Sequence, residues 1–328
     1  MRLFLIRHGE TVDNVAQVYA GSRDSELTNH GFQQAHRLAS YLAGTDIRFT
    51  HIFASPLQRA RNTAQAIYDA QPSSTVKMTS VPAIQEQDFG SFEGKTWLEG
   101  PSSTNKPRDT SAGFVDVESK DSMAKRIDDF LDEHMAALWR SAAGGERHVV
   151  AIVSHGIILS VLWRRILRRL PQNSVHIRPE LLVPGKPVSL EYIGGFSNTG
   201  YLELEMTRRG MPVARALDRQ AGYTDSAASQ SKHSSSRATA GSVASVAKAS
   251  DLSVAPVQAP ASATERLPGK ESASVSTPAL YGWTTEVLTI NGKEHLKGLK
   301  RTGGGVGSSK HDKNQKSIDT FFKRQKVD

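Results

Sequence analysis

Two short apolar runs in this chain end on the same dipeptide. Leu3-Phe4-Leu5-Ile6 leads into Arg7-His8-Gly9, and Val149 to Val153 leads into Ser154-His155-Gly156. Apolar runs of this length, stopped by polar residues and glycine, read as buried strands. In an open α/β sheet the carboxyl ends of parallel strands face the ligand crevice. Parallel neighbours built this way would set two imidazoles side by side. Gly9 is expected to let the backbone approach a substrate closely.

The segments between these runs alternate strand and helix. Thr28 can cap a helix from Asn29 to about Leu42, with Phe32, Ala35, Leu38 and Leu42 on one face. His51 to Ala54 reads as a strand. Ser55-Pro56 after it reads as the N-cap and first residue of a helix that carries Arg59 in its first turn. A third strand, about Lys77 to Ile84, gives way to Glu86. Residues 90–117, rich in Gly, Ser, Thr and Pro, form an irregular insertion over the site. Met123, Ile127, Phe130/Leu131, His134 and Leu138 have helical spacing within Ser119 to about Ser141. A helix from Ile157 to about Leu167 follows the second His-Gly strand, and Tyr192 to Met206 reads as a strand or as a hairpin around Asn198-Thr199-Gly200. The alternation predicts a three-layer α/β/α sandwich with a mostly parallel, doubly wound sheet over residues 1–216. Beyond it, residues 217–278 are Ser/Ala-rich and too poor in large apolar side chains to offset their ordering entropy, so a disordered linker is expected. Residues 279–302 carry a hairpin signal at Asn291-Gly292, and 303–328 form a basic tail.

Composition narrows the chemistry. The chain has no cysteine, which excludes disulfides and thiolate catalysis. No secretory signal pattern and no apolar run of membrane-spanning length occurs, so a soluble intracellular protein without membrane partners is expected. The net charge is +8, and residues 297–328 hold nine Lys/Arg against three Asp. That concentration marks a targeting or partner-binding arm rather than a property of the fold, with no more than weak electrostatic contact to nucleic acid implied.

Four strand–loop junctions bring Arg7/His8, Arg59, Glu86 and His155 to one crevice. Two arginines and two imidazoles suit a compact dianion, and guanidinium matches phosphate geometry. Positive neighbours favour neutral imidazole. One histidine can then attack phosphorus through a free ring nitrogen, and a carboxylic acid beside the pocket can protonate the leaving group. No metal-ligand spacing is present, so neither a metal nor another cofactor is implied.

Arg7-His8-Gly9-Glu10-Thr11, Asn14, Gly21, Asp24, Leu27-Thr28, Gly31, Ser55-Pro56-Leu57-Gln58-Arg59-Ala60, Glu86, Asp88-Phe89-Gly90, Glu93-Gly94 and Ser154-His155-Gly156 occur in order. Together they resemble the histidine phosphatase (phosphoglycerate mutase-like) superfamily over the first two-thirds of the chain. The resemblance implies that His8 is the phosphorylated nucleophile. It implies also that Arg7, Arg59 and His155 hold the phosphoryl group, that Asn14 and the backbone at Gly21 add contacts, and that Glu86 donates the proton. Ala20 stands where mutases have a hydroxyl residue, and Gln87 follows the acid. Paired arginines for phosphoglycerate have no counterpart between Gly90 and Val115. These departures favour a phosphomonoester phosphatase over a mutase-like metabolic enzyme. A catalytically weak phosphate-recognition or scaffold protein of the replication, repair or chromatin machinery is the alternative from another class.

The tail holds a second motif. Gln315, Ile318, Phe321 and Phe322 follow Gln-x-x-Ile-x-x-Phe-Phe, which resembles the box (315–322) that binds the DNA sliding clamp, proliferating cell nuclear antigen (PCNA). One 3₁₀ turn would bring Ile318 and the aromatic rings to one side. With the basic runs Lys323-Arg324-Gln325-Lys326 and Lys300-Arg301, the box implies a nuclear protein recruited to replication or repair sites.

Overall fold

The computed structural model describes residues 1–72, 76–99, 113–182, 188–208, 280–303 and 305–312. The linker 217–278 and the box 315–322 lie outside the described residues. Among those described, the elements in chain order are β1 (Arg2–Arg7), α1 (Val12–Ala16), α2 (Asn29–Gly44), β2 (His51–Ala54), α3 (Gln58–Asp69), β3 (Lys77–Ser80), α4 (Lys120–Phe130), α5 (Ala136–Ala143), β4 (Val149–Ser154), α6 (Gly156–Arg169), β5 (Val175–Ile177), β6 (Tyr201–Arg208) and β7 (Trp283–Gly292). The sheet order is β3-β2-β4-β1-β6-β7-β5. The pairs β3/β2, β2/β4, β4/β1 and β5/β7 are parallel, and β6 is antiparallel to both β1 and β7.

The layers follow from side-chain alternation along the central strands. On β1, Leu3 and Leu5 enter one core with Ile127, Phe130, Leu131, Leu159 and Trp163 of the α4–α6 side. Phe4 and Ile6 enter a second core with Leu38 and Leu42 of α2 and Ile67 of α3. Successive strand residues point to opposite faces, and a strand covered on both faces must be apolar throughout. The α/β fold with a mostly parallel sheet is therefore the observed one. No helix among the described residues is long and apolar enough to cross a membrane.

Several expected elements differ from those observed. The third strand ends at Ser80, because the chain turns into a 3₁₀ segment, Pro82–Ile84, whose proline has no N–H for a ladder. The single helix expected over 119–141 is two, joined by a π turn at Leu131–Met135. The widened turn buries the adjacent Phe130 and Leu131 together (1% and 0% exposed). Ser55 is not a helix cap: α3 starts at Gln58 after Leu57, although Arg59 still falls in its first turn. Asn198-Thr199-Gly200 is the entry turn to β6, not a hairpin between strands.

The largest departure concerns the C-terminal segment. The hairpin expected over 279–302 is a single strand, β7, lying between β6 and β5 in the sheet of the first 208 residues. Asn291 does adopt a positive φ of 48°. Its side-chain oxygen, however, accepts from the Ser197 backbone N–H at 2.8 Å, so the turn signal docks a loop instead of reversing a strand. Leu280, Trp283 and Val287 are buried in the α4–α6 core, and the described residues from 280 onward belong to the same compact unit as β1–β6. A boundary at 216 therefore cuts the sheet.

Candidate active site

Register places the two imidazoles. Arg7 pairs with Ser154 in the parallel β1/β4 ladder, and the His8 N–H continues it by donating to the Ser154 carbonyl at 3.0 Å. His8 and His155, next in each strand, have ring centroids 5.0 Å apart. The expectation that two separate His-Gly strand ends meet is met.

Hydrogen bonds assign each ring's proton. His8 Nδ1 lies 2.6 Å from the Gly9 carbonyl oxygen, which only accepts, so Nδ1 carries the proton and Nε2 keeps a free lone pair. Arg59 Nε donates to His155 Nδ1 at 3.1 Å, and His155 Nε2 lies 2.8 Å from Ser55 Oγ. Since arginine cannot accept, Nδ1 of His155 is the acceptor and its Nε2–H donates to Ser55. Burial, reinforced by the charge of Arg59, holds both imidazoles well below the usual histidine pKa and hence neutral.

The cations are fixed by backbone carbonyls. Arg59, 1% exposed, donates from Nη1 to the Arg23 carbonyl at 2.6 Å and from Nη2 to the Gly21 carbonyl at 2.7 Å. Gly21 turns that carbonyl inward with a φ of +51°, a region that favours glycine. Arg7 Nη1 donates to the Phe196 carbonyl at 2.7 Å, while Arg7 Nε is buried with no partner among the described residues. Glu86 sits at the start of α6, where Ile158 N donates to Oε1 at 3.1 Å and Ile157 N to Oε2 at 3.3 Å. A helix N-terminus suits a carboxylate. Thr11 caps α1 in a capping box whose other member, Asn14, accepts from the Thr11 N–H through Oδ1 at 3.2 Å, and that oxygen also accepts from Asn198 Nδ2 at 3.1 Å. Arg7, Asn14, Gly21, Arg59 and Glu86 share the wall of one cleft of about 620 Å³. His8 (3% exposed) and His155 (0%) are buried behind it.

Some contributions were not foreseen. Gly9 is needed for a different neighbour than expected: a Cβ there would stand 2.5 Å from the Gly31 carbonyl oxygen, so the close approach is to α2. Ser55 fixes the His155 tautomer, Asn198 bonds both the His8 carbonyl (3.2 Å) and Asn14, and Thr63 Oγ1 accepts from Gly9 N at 3.1 Å. Ser55 and Thr63 have local readings as helix residues, so nothing nearby in sequence announces these contacts. Arg301, part of the basic run Lys300-Arg301, pairs with Glu10, two residues past His8. Among the described residues, no group of three or more His, Cys, Asp or Glu is arranged to hold a metal ion.

Neutral imidazoles beside buried guanidiniums at the carboxyl edge of a doubly wound sheet define a phosphoryl-handling site. Residues 3–181 match the model of the histidine phosphatase superfamily (branch 1), and the chain belongs to that superfamily of enzymes. It is 35% identical over 174 residues to a probable phosphatase of Schizosaccharomyces pombe, covering 50% of this chain and 56% of that one. It is 30% identical over 212 residues to a metal-independent phosphoserine phosphatase of Arabidopsis thaliana, covering 61% of this chain and 85% of that one. A solved mycobacterial glucosyl-3-phosphoglycerate phosphatase is also similar, at 23% identity and a TM-score of 0.47, covering 62% of this chain and 91% of that one.

Proposed function

We propose that this chain is a phosphomonoester phosphatase that works through a phosphohistidine on His8 without a metal ion. One observation carries this reading: the bond from His8 Nδ1 to the Gly9 carbonyl leaves Nε2 unprotonated beside Arg7 and Arg59. The Nε2 lone pair attacks phosphorus, and the P–O bond to the leaving group breaks as Glu86 gives that oxygen a proton. Water then attacks the phosphoryl group, the N–P bond breaks, and Glu86 takes a proton back. Arg7 Nε, lacking a partner among the described residues, and the remaining N–H groups of Arg59 bind the equatorial oxygens, whose charge they offset through both steps. His155 backs this array through Arg59, and Asn14 adds a polar contact on the cleft wall.

The box at 315–322 supports recruitment of the enzyme to the sliding clamp PCNA and a nuclear location. The mutase-like reading is disfavoured by Ala20 and Gln87. Hydrolysis of p-nitrophenyl phosphate by the purified chain tests the enzyme reading. Turnover should survive EDTA and fall at least 1,000-fold in His8→Ala, on the order seen when a covalent nucleophile is removed. Full activity in His8→Ala, or complete loss with EDTA, would refute it.

A further inference from the structure

The catalytic scheme leaves one cation of the cleft unused. Gly156, Ser160 and Arg164 stand at successive turns along one face of α6, and all three line the cleft with Arg7 and Arg59. The neighbouring Arg165 and Arg169 are tied to Asp128 on the α4 side. Arg164 has no ion pair or hydrogen bond among the described residues. A half-buried guanidinium without a partner among the described residues, in a cleft whose described lining holds one acid, Glu86, can receive an anion. The Arg164 Cα is also set further along α6 than the two helix-start amides that hold Glu86. Eight residues, about 12 Å of helix axis, separate it from Gly156.

The same cleft has a largely apolar lining. Trp97, Ile157 and Tyr192 remain 51%, 39% and 74% exposed at the cleft. Tyr19 and Phe89 line it as well, with ring centroids 4.6 Å apart. Large apolar side chains gathered at one concave site, with a few polar groups beyond, fit an apolar ligand body. A three-carbon phosphorylated acid has no apolar body to cover the aromatic lining.

We infer that the preferred substrate is a phosphomonoester whose leaving group is an apolar, aryl-sized body bearing a second anionic group, which Arg164 receives. The inference rests on the phosphatase reading and deepens it. The test compares kcat/KM of the full chain and its Arg164→Gln and Arg164→Lys variants on 2-naphthyl phosphate, 6-carboxy-2-naphthyl phosphate and O-phosphoserine. The wild type should prefer the carboxylated ester over 2-naphthyl phosphate by about tenfold, chiefly through KM, as expected of a charge-assisted hydrogen bond. Phosphoserine should be the poorest of the three. Arg164→Gln should bring the naphthyl ratio close to one, and Arg164→Lys should retain part of it. Because the ratio is taken within each variant, a loss of folded protein cancels. A ratio unaltered by Arg164→Gln, or a preference for phosphoserine, would overturn the inference while leaving the phosphatase reading intact. Turnover of none of the three esters would overturn both.

Discussion

The Gly9 carbonyl, by accepting from His8 Nδ1, decides which nitrogen reacts, and burial decides that it is unprotonated. The pH dependence follows. A cationic acid with a lowered pKa stays neutral further into acid, so the nucleophile does not titrate as pH falls through the ordinary histidine value of about 6.5. The rate kcat/KM for an aryl phosphate should therefore hold as pH drops from 7.5 to 6, and any acid limb should come lower. An acid limb of kcat/KM centred at about 6.5 in the wild type would contradict this. Ser55 has an equally local effect, because its Oγ holds His155 in the tautomer that accepts from Arg59. Ser55→Ala should lower kcat about tenfold or more while leaving the fold in place, the range found when an orienting partner of a functional imidazole is removed. An unchanged kcat would show that the tautomer does not matter. The residues legible in sequence were those with a local signature: an apolar run ending in His-Gly marks His8 and His155 without any knowledge of the fold. Ser55 was misread because Ser-Pro has a strong local meaning as a helix start, whereas its partner His155 lies 100 positions away.

At the scale of elements, β1, β2 and β4 and the helices α2, α3 and α6 were readable from hydrophobic runs and, for α2, from its cap. Thr28 caps α2 as expected, with its hydroxyl accepting from Gly31 N at 2.9 Å. β7 was not readable as part of the sheet. Its sequence, with Trp283, Thr285 and Val287 buried on one face, looks like any amphipathic strand. Only pairing with β6 (Leu204 with Val287, Met206 with Thr285) assigns it to a partner some eighty positions earlier. The consequence is testable by truncation. Ending the chain at residue 213 strips Leu280, Trp283 and Val287 from the core, at about 1.5–3 kcal/mol each, and exposes β6 as an unpaired edge. The sum approaches the whole stability of an ordinary domain, about 5–15 kcal/mol. The truncated chain should be insoluble, or should melt without a cooperative transition in calorimetry. A soluble, cooperatively folding 1–213 fragment would show that β7 is dispensable.

At the scale of the whole molecule, the end of the chain returns to the site it started from. After β7, His295 bonds Thr199 at 2.8 Å in the turn beside Asn198, Arg301 pairs with Glu10, and Lys310 pairs with Glu26 at 2.6 Å. His311 stacks on Phe32 of α2 with centroids 3.7 Å apart. The proposed clamp box begins three residues beyond Asp312, so clamp binding there would hold the enzyme within about 10 Å of chain from the docked segment. The 328-residue chain should bind immobilised PCNA, and Phe321→Ala/Phe322→Ala should reduce binding by tenfold or more, since two aromatic anchors of this kind dominate small interfaces. Equal binding by both forms would remove the recruitment proposal without touching the catalytic one. The central claim is chemical, and a rapid-quench experiment with a ³²P-labelled aryl phosphate addresses it most directly. During turnover the label should appear on the protein at His8, stable in alkali and lost in acid, and it should be absent from His8→Ala. Steady turnover with no labelled protein, or label at another residue, would contradict the account.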